Sequence, residues 1–176
     1  MIKAQNAKIG ILGGSFDPAH RGHLTISKIA IKKVKLKKIY WVVTKKNPFK
    51  NNTYFTLEER MTQARKVTKN VKKIQVLYLD EIVKSSRMID IINFMFKKKK
   101  YKNLYLIVGS DILLKFHKWK SWKKIVNLTK FIVFSRRGYD KKSKESAVAK
   151  FLNKNKITYI KNKPIQISST FLRKKF

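Results

Sequence analysis

The sequence predicts an α/β fold, a single-domain doubly wound parallel sheet of Rossmann-like type. Three observations carry that expectation. Short β-branched and apolar runs alternate with segments of helical period, and the runs are continuous rather than alternating, as strands covered on both faces are. The 176 residues fit one domain, expected to cover 1–176, and 43% apolar content is enough for one buried core. The first apolar run ends in glycines and leads straight into a helical pattern, as the first unit of such a sheet does.

Taken in order, the expected strands are Ile9–Leu12, Lys38–Thr44, Ile74–Leu79, Leu104–Val108, Phe131–Ser135 and Ile157–Ile160. Between them, helical period marks His20–Val34, Thr56–Thr68, Met88–Phe96, Ser121–Leu128 and Lys144–Leu152. The run Lys97–Lys100 falls where the third helix should end, where cations offset the helix dipole. Right-handed crossovers then put ligands at the carboxyl ends of the strands.

Composition narrows the function. The 44 Lys and Arg against 9 Asp and Glu give a formal net charge of +35, but the basic residues are spread through almost every segment. That distribution favours attraction of anionic substrates and weak, salt-sensitive contact with polyanions over specific nucleic-acid recognition. The absence of cysteine excludes thiol chemistry, disulfides and cysteine metal sites. No apolar run has the length of a signal peptide or membrane span, so a cytoplasmic protein is expected. The spacing of Gly10, Gly13 and Gly14 does not fit the dinucleotide fingerprint, and no Gly-Lys-Ser or Gly-Lys-Thr loop exists, which removes ordinary hydride-transfer and P-loop readings.

The chemistry concentrates in Gly13-Gly14-Ser15-Phe16-Asp17-Pro18-Ala19-His20-Arg21-Gly22-His23. Glycines at a strand end let a backbone approach a ligand, and a helix beginning near His20 aims free N–H groups at the same point. His20 and His23, three residues apart, share a helix face and can both reach one phosphate chain. The stretch resembles the signature of the nucleotidylyltransferase superfamily, whose paired histidines hold ATP during adenylyl transfer. The resemblance implies ATP contacts from Gly13, Gly14, Ser15, Phe16, His20 and His23.

Further segments extend the resemblance to the nicotinate mononucleotide adenylyltransferases over nearly the whole chain. Asn47-Pro48-Phe49-Lys50 precedes Leu57-Glu58-Glu59-Arg60-Met61, an order that makes Lys50 a phosphate ligand by resemblance and leaves Arg60 a structural part. In Gly109-Ser110-Asp111, the carboxylate alone can cap a helix beginning at Ile112. The Gly-x-Asp segment followed by Trp119 is similar to the family's, which implies that Gly109 and Asp111 contact adenosine and that Trp119 stacks on the pyridine ring. Trp41, Trp122 and His117 have no such match and are left to packing.

Near the end stands Ile167-Ser168-Ser169-Thr170-Phe171-Leu172-Arg173. Ser and Thr hydroxyls before a helical turn cap it or bind phosphate, and an arginine one turn later can complete an anion clamp. It resembles the family's Ile-Ser-Ser-Thr-x-Ile-Arg signature, which implies ATP contacts from Ser168, Ser169, Thr170 and Arg173. Two departures stand out. The family's Ser-Tyr-Thr is replaced by Ser86-Arg87-Met88, where Arg87 and Met88 are the expected acceptor contacts, and the chain ends three residues after Arg173, so a shortened C-terminal helix is expected.

The resemblance implies adenylyl transfer from ATP to nicotinate mononucleotide, giving deamido-NAD and pyrophosphate by in-line displacement. His20, His23, Lys50 and Arg173 are the expected catalytic donors. Mg²⁺ is expected to travel on the ATP phosphates, with no protein-built metal site. Other readings are transfer to nicotinamide mononucleotide or phosphopantetheine, or a non-catalytic basic RNA-binding protein on the same fold. A monomer or small homo-oligomer is expected, with neither nucleic acid nor membrane as a specific partner.

Overall fold

The chain's structure is a computed structural model that describes residues 6–45, 52–162 and 169–173. It divides into two compact units, Lys8–Ser86 with Ile165–Phe176 and Met1–Ala7 with Arg87–Pro164.

In the first unit, β1 (Lys8–Gly14) leads to α1 (Arg21–Val34), β2 (Lys38–Val43), α2 (Leu57–Thr68), β3 (Ile74–Tyr78) and α3 (Asp80–Val83), and the unit also holds α9 (Ser169–Arg173). β1 pairs in parallel with β2, and β2 with β3. β2 is buried from Ile39 to Val43, because helices must cover both faces of a parallel strand. α1 packs through Gly22, Ile26, Ser27 and Ala30, one face at helical spacing. α2 starts on a capping box in which Thr56 and Glu59 bond reciprocally; those bonds hold the Glu59 carboxyl below its ordinary value.

In the second unit, α4 (Met88–Lys97) precedes β4 (Asn103–Gly109), α5 (Ser110–Lys115) and a 3₁₀ turn (Phe116–Lys118). α6 (Trp122–Leu128), β5 (Thr129–Phe134), α7 (Asp140–Lys144), α8 (Ala147–Phe151), a second 3₁₀ turn (Lys154–Lys156) and β6 (Ile157–Ile160) follow. β4 pairs in parallel with β5, and β5 with β6. The face of α4 that buries Met88, Ile91, Ile92 and Met95 repeats every three or four residues, and the helix ends at Lys97 inside the lysine run.

The strand order β3-β2-β1-β4-β5-β6 is that of the expected doubly wound α/β sheet. All six strands fall where the apolar runs placed them, with ends shifted by up to two residues. One helix differs. The segment read as Lys144–Leu152 holds only the last residue of α7 and the five-residue α8, because Ser146 restarts the chain as the N-cap of α8: its Oγ accepts from Ala149 N at 3.2 Å and donates to the Ser143 carbonyl at 2.7 Å.

Candidate active site

The histidine turn is built by its own side chains. His20 is the N-cap of α1 rather than a residue within it. His20 Nδ1 accepts the Gly22 N–H at 3.0 Å, and His23 Nδ1 accepts the His20 N–H at 3.3 Å, so the pair forms a capping box from two imidazoles. The ring centroids lie 3.9 Å apart. With each Nδ1 lone pair committed to a backbone N–H, a neutral ring must carry its proton on Nε2, which makes that atom the donor for an anion.

Phe16 sits in the left-handed region at φ 48°, a conformation costing a non-glycine residue on the order of 1–3 kcal/mol. Its buried ring stacks on Trp41 and approaches His23, each at 5.0 Å between centroids. Trp41 is fully buried, as a packing residue should be, and its Nε1 donates at 2.9 Å to Ser27 Oγ, which donates at 2.8 Å to the His23 carbonyl.

Two buried charges hold this turn. The Asp17 carboxylate, 3% exposed, accepts the N–H groups of Tyr54 and Phe55 at 3.0 and 2.9 Å. Arg60, 1% exposed and projecting from α2, donates through Nε to the Phe55 carbonyl at 3.1 Å and through Nη1 to the carbonyls of Ser15 and Thr44 at 2.7 and 2.8 Å. Burial lowers the Arg60 guanidinium from its ordinary value, opposed by the nearby carboxylates of Asp17 and Asp80. Arg173 reaches the same turn from α9. Its Nη1 donates to the Asp17 carbonyl at 2.6 Å and lies 3.5 Å from the carboxylate, while Nη2 donates to Thr170 Oγ1 at 3.2 Å. Ser169 Oγ donates to the Pro18 carbonyl at 3.0 Å. Expected as phosphate ligands, Ser169, Thr170 and Arg173 thus come together against the turn, with Ser169 and Arg173 docking on its backbone.

The other unit carries the Gly109 turn. Gly109 is the N-cap of α5, and a Cβ there would collide with Asp111 Oδ1 and lie 3.2 Å from Arg136 Nε, so a side chain at this position displaces the Asp111 and Arg136 side chains. The helix starts at Ser110, and Asp111 lies inside its first turn with no capping bond; the capping alternative for Asp111 is therefore excluded. Asp111 Oδ1 stands 3.9 Å from Arg136 Nε and accepts no hydrogen bond among the described residues. Asp140 braces this turn. Its Oδ1 accepts from Ser110 Oγ at 2.7 Å and from Arg136 N at 3.0 Å, and its Oδ2 accepts from Ser135 Oγ. The hydroxyls of Ser135 and Ser110 hold the Asp140 carboxyl below its ordinary value.

Trp119 follows the first 3₁₀ turn and stacks on the fully buried Phe116 ring at 4.6 Å and 27°. Arg87 is the exposed N-cap of α4, and the Met88 side chain is in the core, so its polar contribution to a ligand is limited to backbone groups at the helix start. Trp122 packs against Phe151 at 5.3 Å, whereas His117, also left to packing by the sequence, is exposed within the first 3₁₀ turn and packs into no core. Lys50 and Ser168 lie outside the described residues.

The sequence did not single out Asp140, Ser135 or Arg136, nor the groove of about 310 Å³ lined by Lys45, Tyr78, Asp80, Glu81, Ser85 and Ser86. In that groove, Asp80 Oδ2 accepts the Lys45 N–H at 2.8 Å, and burial pushes the Asp80 carboxyl and the Tyr78 hydroxyl up. A carboxylate among so many lysines was the available signal for Asp140 and Asp80. Their partners are backbone groups and hydroxyls that no spacing marks.

With both turns located at the carboxyl ends of their strands, comparison with known proteins becomes specific. The cytidylyltransferase-like family profile matches residues 11–175. A Pelagibacter ubique protein named as a probable nicotinate-nucleotide adenylyltransferase is 45% identical over 99% of both chains. An Endomicrobium trichonymphae protein of the same name is 32% identical over 95% of this chain and 84% of its own. In fold, the chain is similar to the Plasmodium falciparum nicotinic acid mononucleotide adenylyltransferase complexed with NaAD, with a TM-score of 0.77 at 22% identity over 96% of this chain and 83% of that one. The histidine turn is thus part of a likeness that runs the length of the molecule, and the chain belongs to the cytidylyltransferase-like family and, within it, to the nicotinate-nucleotide adenylyltransferases.

Proposed function

We propose that the chain transfers the adenylyl group of ATP to nicotinate mononucleotide. An oxygen of the acceptor's 5′-phosphate attacks the α-phosphorus in line, the bond from that phosphorus to the β-phosphate bridging oxygen breaks, and pyrophosphate leaves with the electron pair. The nucleophile is already anionic, so no general base is needed. Catalysis then consists of positioning and charge stabilisation. The observation that carries this reading is the reciprocal imidazole cap, which gives two neighbouring rings Nε2–H donors at the end of β1.

In this reading His20 and His23 donate to the phosphate chain, and Lys50 and Arg173 add positive charge. Gly13, Gly14, Ser15, Phe16, Ser168, Ser169 and Thr170 shape the triphosphate site, while Gly109 and Asp111 take the adenosine. Arg87, the backbone at Met88, and Trp119 receive the acceptor. In this reading Mg²⁺ is carried by the ATP phosphate oxygens and water. Bound there, the ion would neutralise phosphate charge. No described helix is long and apolar enough to cross a membrane.

The test is pyrophosphate release from ATP offered with nicotinate mononucleotide, nicotinamide mononucleotide or phosphopantetheine in turn. Preference for the first is expected; preference for another overturns the acceptor, and no release with any, together with salt-resistant RNA binding, overturns the enzyme. His23→Ala should lower kcat by on the order of 100- to 1000-fold with a much smaller change in ATP binding. Unchanged turnover would remove His23 from the reaction.

A further inference from the structure

We propose that Arg60 is a positioning residue for adenylyl transfer, holding the Phe16 turn in the left-handed conformation that seats the Phe16 ring against His23. Phe16 has no glycine-like freedom, so its φ of 48° must be imposed by its surroundings. Arg173 holds the Asp17 carbonyl from α9, but the restraints on both sides of Phe16 pass through Arg60. Arg60 Nη1 fixes the Ser15 carbonyl immediately before Phe16, and Nε fixes the Phe55 carbonyl. The N–H of that same Phe55, with that of Tyr54, holds the carboxylate of Asp17 immediately after Phe16.

Arg60 therefore restrains the turn from both sides, directly at residue 15 and through the 54–55 segment at residue 17. Its second Nη1 contact ties both to the end of β2 at the Thr44 carbonyl. The side chain projects from a capped helix and is buried, so its planar fork is held in a fixed orientation. Released from this brace, Phe16 relaxes toward negative φ and its ring leaves the 5.0 Å contact with His23. The His23 ring then loses a wall that defines its orientation, though it remains in the chain and can still cap α1.

Arg60→Lys separates positioning from mere stability. An ammonium keeps the charge but cannot reproduce three carbonyl contacts from two nitrogens in a rigid plane. We expect a folded variant whose kcat falls on the order of 100-fold while KM for ATP changes little, the signature of misplaced rather than missing groups. A second readout needs no turnover: ¹⁵N spectra of the histidine rings should show His23 losing its single Nε2–H tautomer, with the Trp122 indole signal unmoved. Wild-type turnover, or unchanged His23 ring signals in the folded variant, overturns the brace. Should Arg60→Lys not fold, Asp17→Asn weakens the same frame from the other side and must show the same two effects in smaller measure; a folded Asp17→Asn with neither overturns it too. The kinetic arm rests on the adenylyl-transfer reading, which fails by absence of pyrophosphate release from the wild-type chain, whereas the ring spectra test the brace whether or not that reading stands.

Discussion

At the end of β1 a buried guanidinium donates to three carbonyls; at the end of β4 a carboxylate accepts from two hydroxyls and a backbone N–H. Both devices hold a glycine-marked strand end, with opposite charge and opposite hydrogen-bond polarity. The difference follows from what each loop leaves unsatisfied. Around the Phe16 turn the inward-facing groups are the carbonyls of Ser15, Thr44 and Phe55, so its brace must be a multiple donor, and arginine has five donors in one plane. Around the Gly109 turn the groups to be met are the hydroxyls of Ser110 and, after β5, Ser135, with the Arg136 N–H, so its brace must be a multiple acceptor, which a single carboxylate supplies. The guanidinium stays charged through the working range, whereas the carboxylate titrates in acid, so pH separates the two.

Gly109→Ala should have the largest effect of the remaining tests. The added methyl displaces Asp111 or Arg136, and kcat/KM for ATP is expected to fall on the order of 100-fold, with circular dichroism little altered. A variant with normal ATP kinetics would show that the second turn is scaffold only. Asp140→Ala comes next. Removing an acceptor shared by several donors should cost about 2–3 kcal/mol by urea denaturation at neutral pH. Because the folded carboxyl is held below its ordinary value of 3.8, the stabilisation is complete above that value and disappears as pH falls through the lower folded value. The wild-type advantage over Asp140→Ala should therefore shrink in that acid window.

Asp80 gives the smallest effect and the opposite slope. Burial raises its folded value above 3.8, so its favourable contribution is present below the ordinary value and is lost as pH rises through the folded one. Asp80→Asn keeps an oxygen for the Lys45 N–H and should be more stable than wild type near neutrality, with the gain vanishing in acid. Equal pH profiles for Asp80→Asn and wild type would show that the groove solvates this carboxylate.

The strands and the two glycine turns were legible because they depend on local pattern: apolar runs, glycine at strand ends, and His20 and His23 at fixed spacing. What was not legible depends on backbone acceptors far away in sequence. Nothing in Ser15 or Thr44 marks its carbonyl as the partner of Arg60, and nothing near Gly109 announces Asp140 thirty residues later. The reading of Asp111 as an alternative cap failed for a local reason, since the helix starts one residue before it on a glycine. Period alone also could not see that the Ser146 hydroxyl would satisfy the backbone and delay the last helix to Ala147.

The reciprocal histidine cap has an evolutionary consequence. Each ring spends one nitrogen on starting its own helix, and in the proposed reaction the other serves the ligand, so a lineage that loses either imidazole also frays α1. Substituting asparagine, a good helix starter, at position 20 would restore the first duty and abandon the second. In the proposed reaction these two positions therefore serve the fold and the chemistry at once.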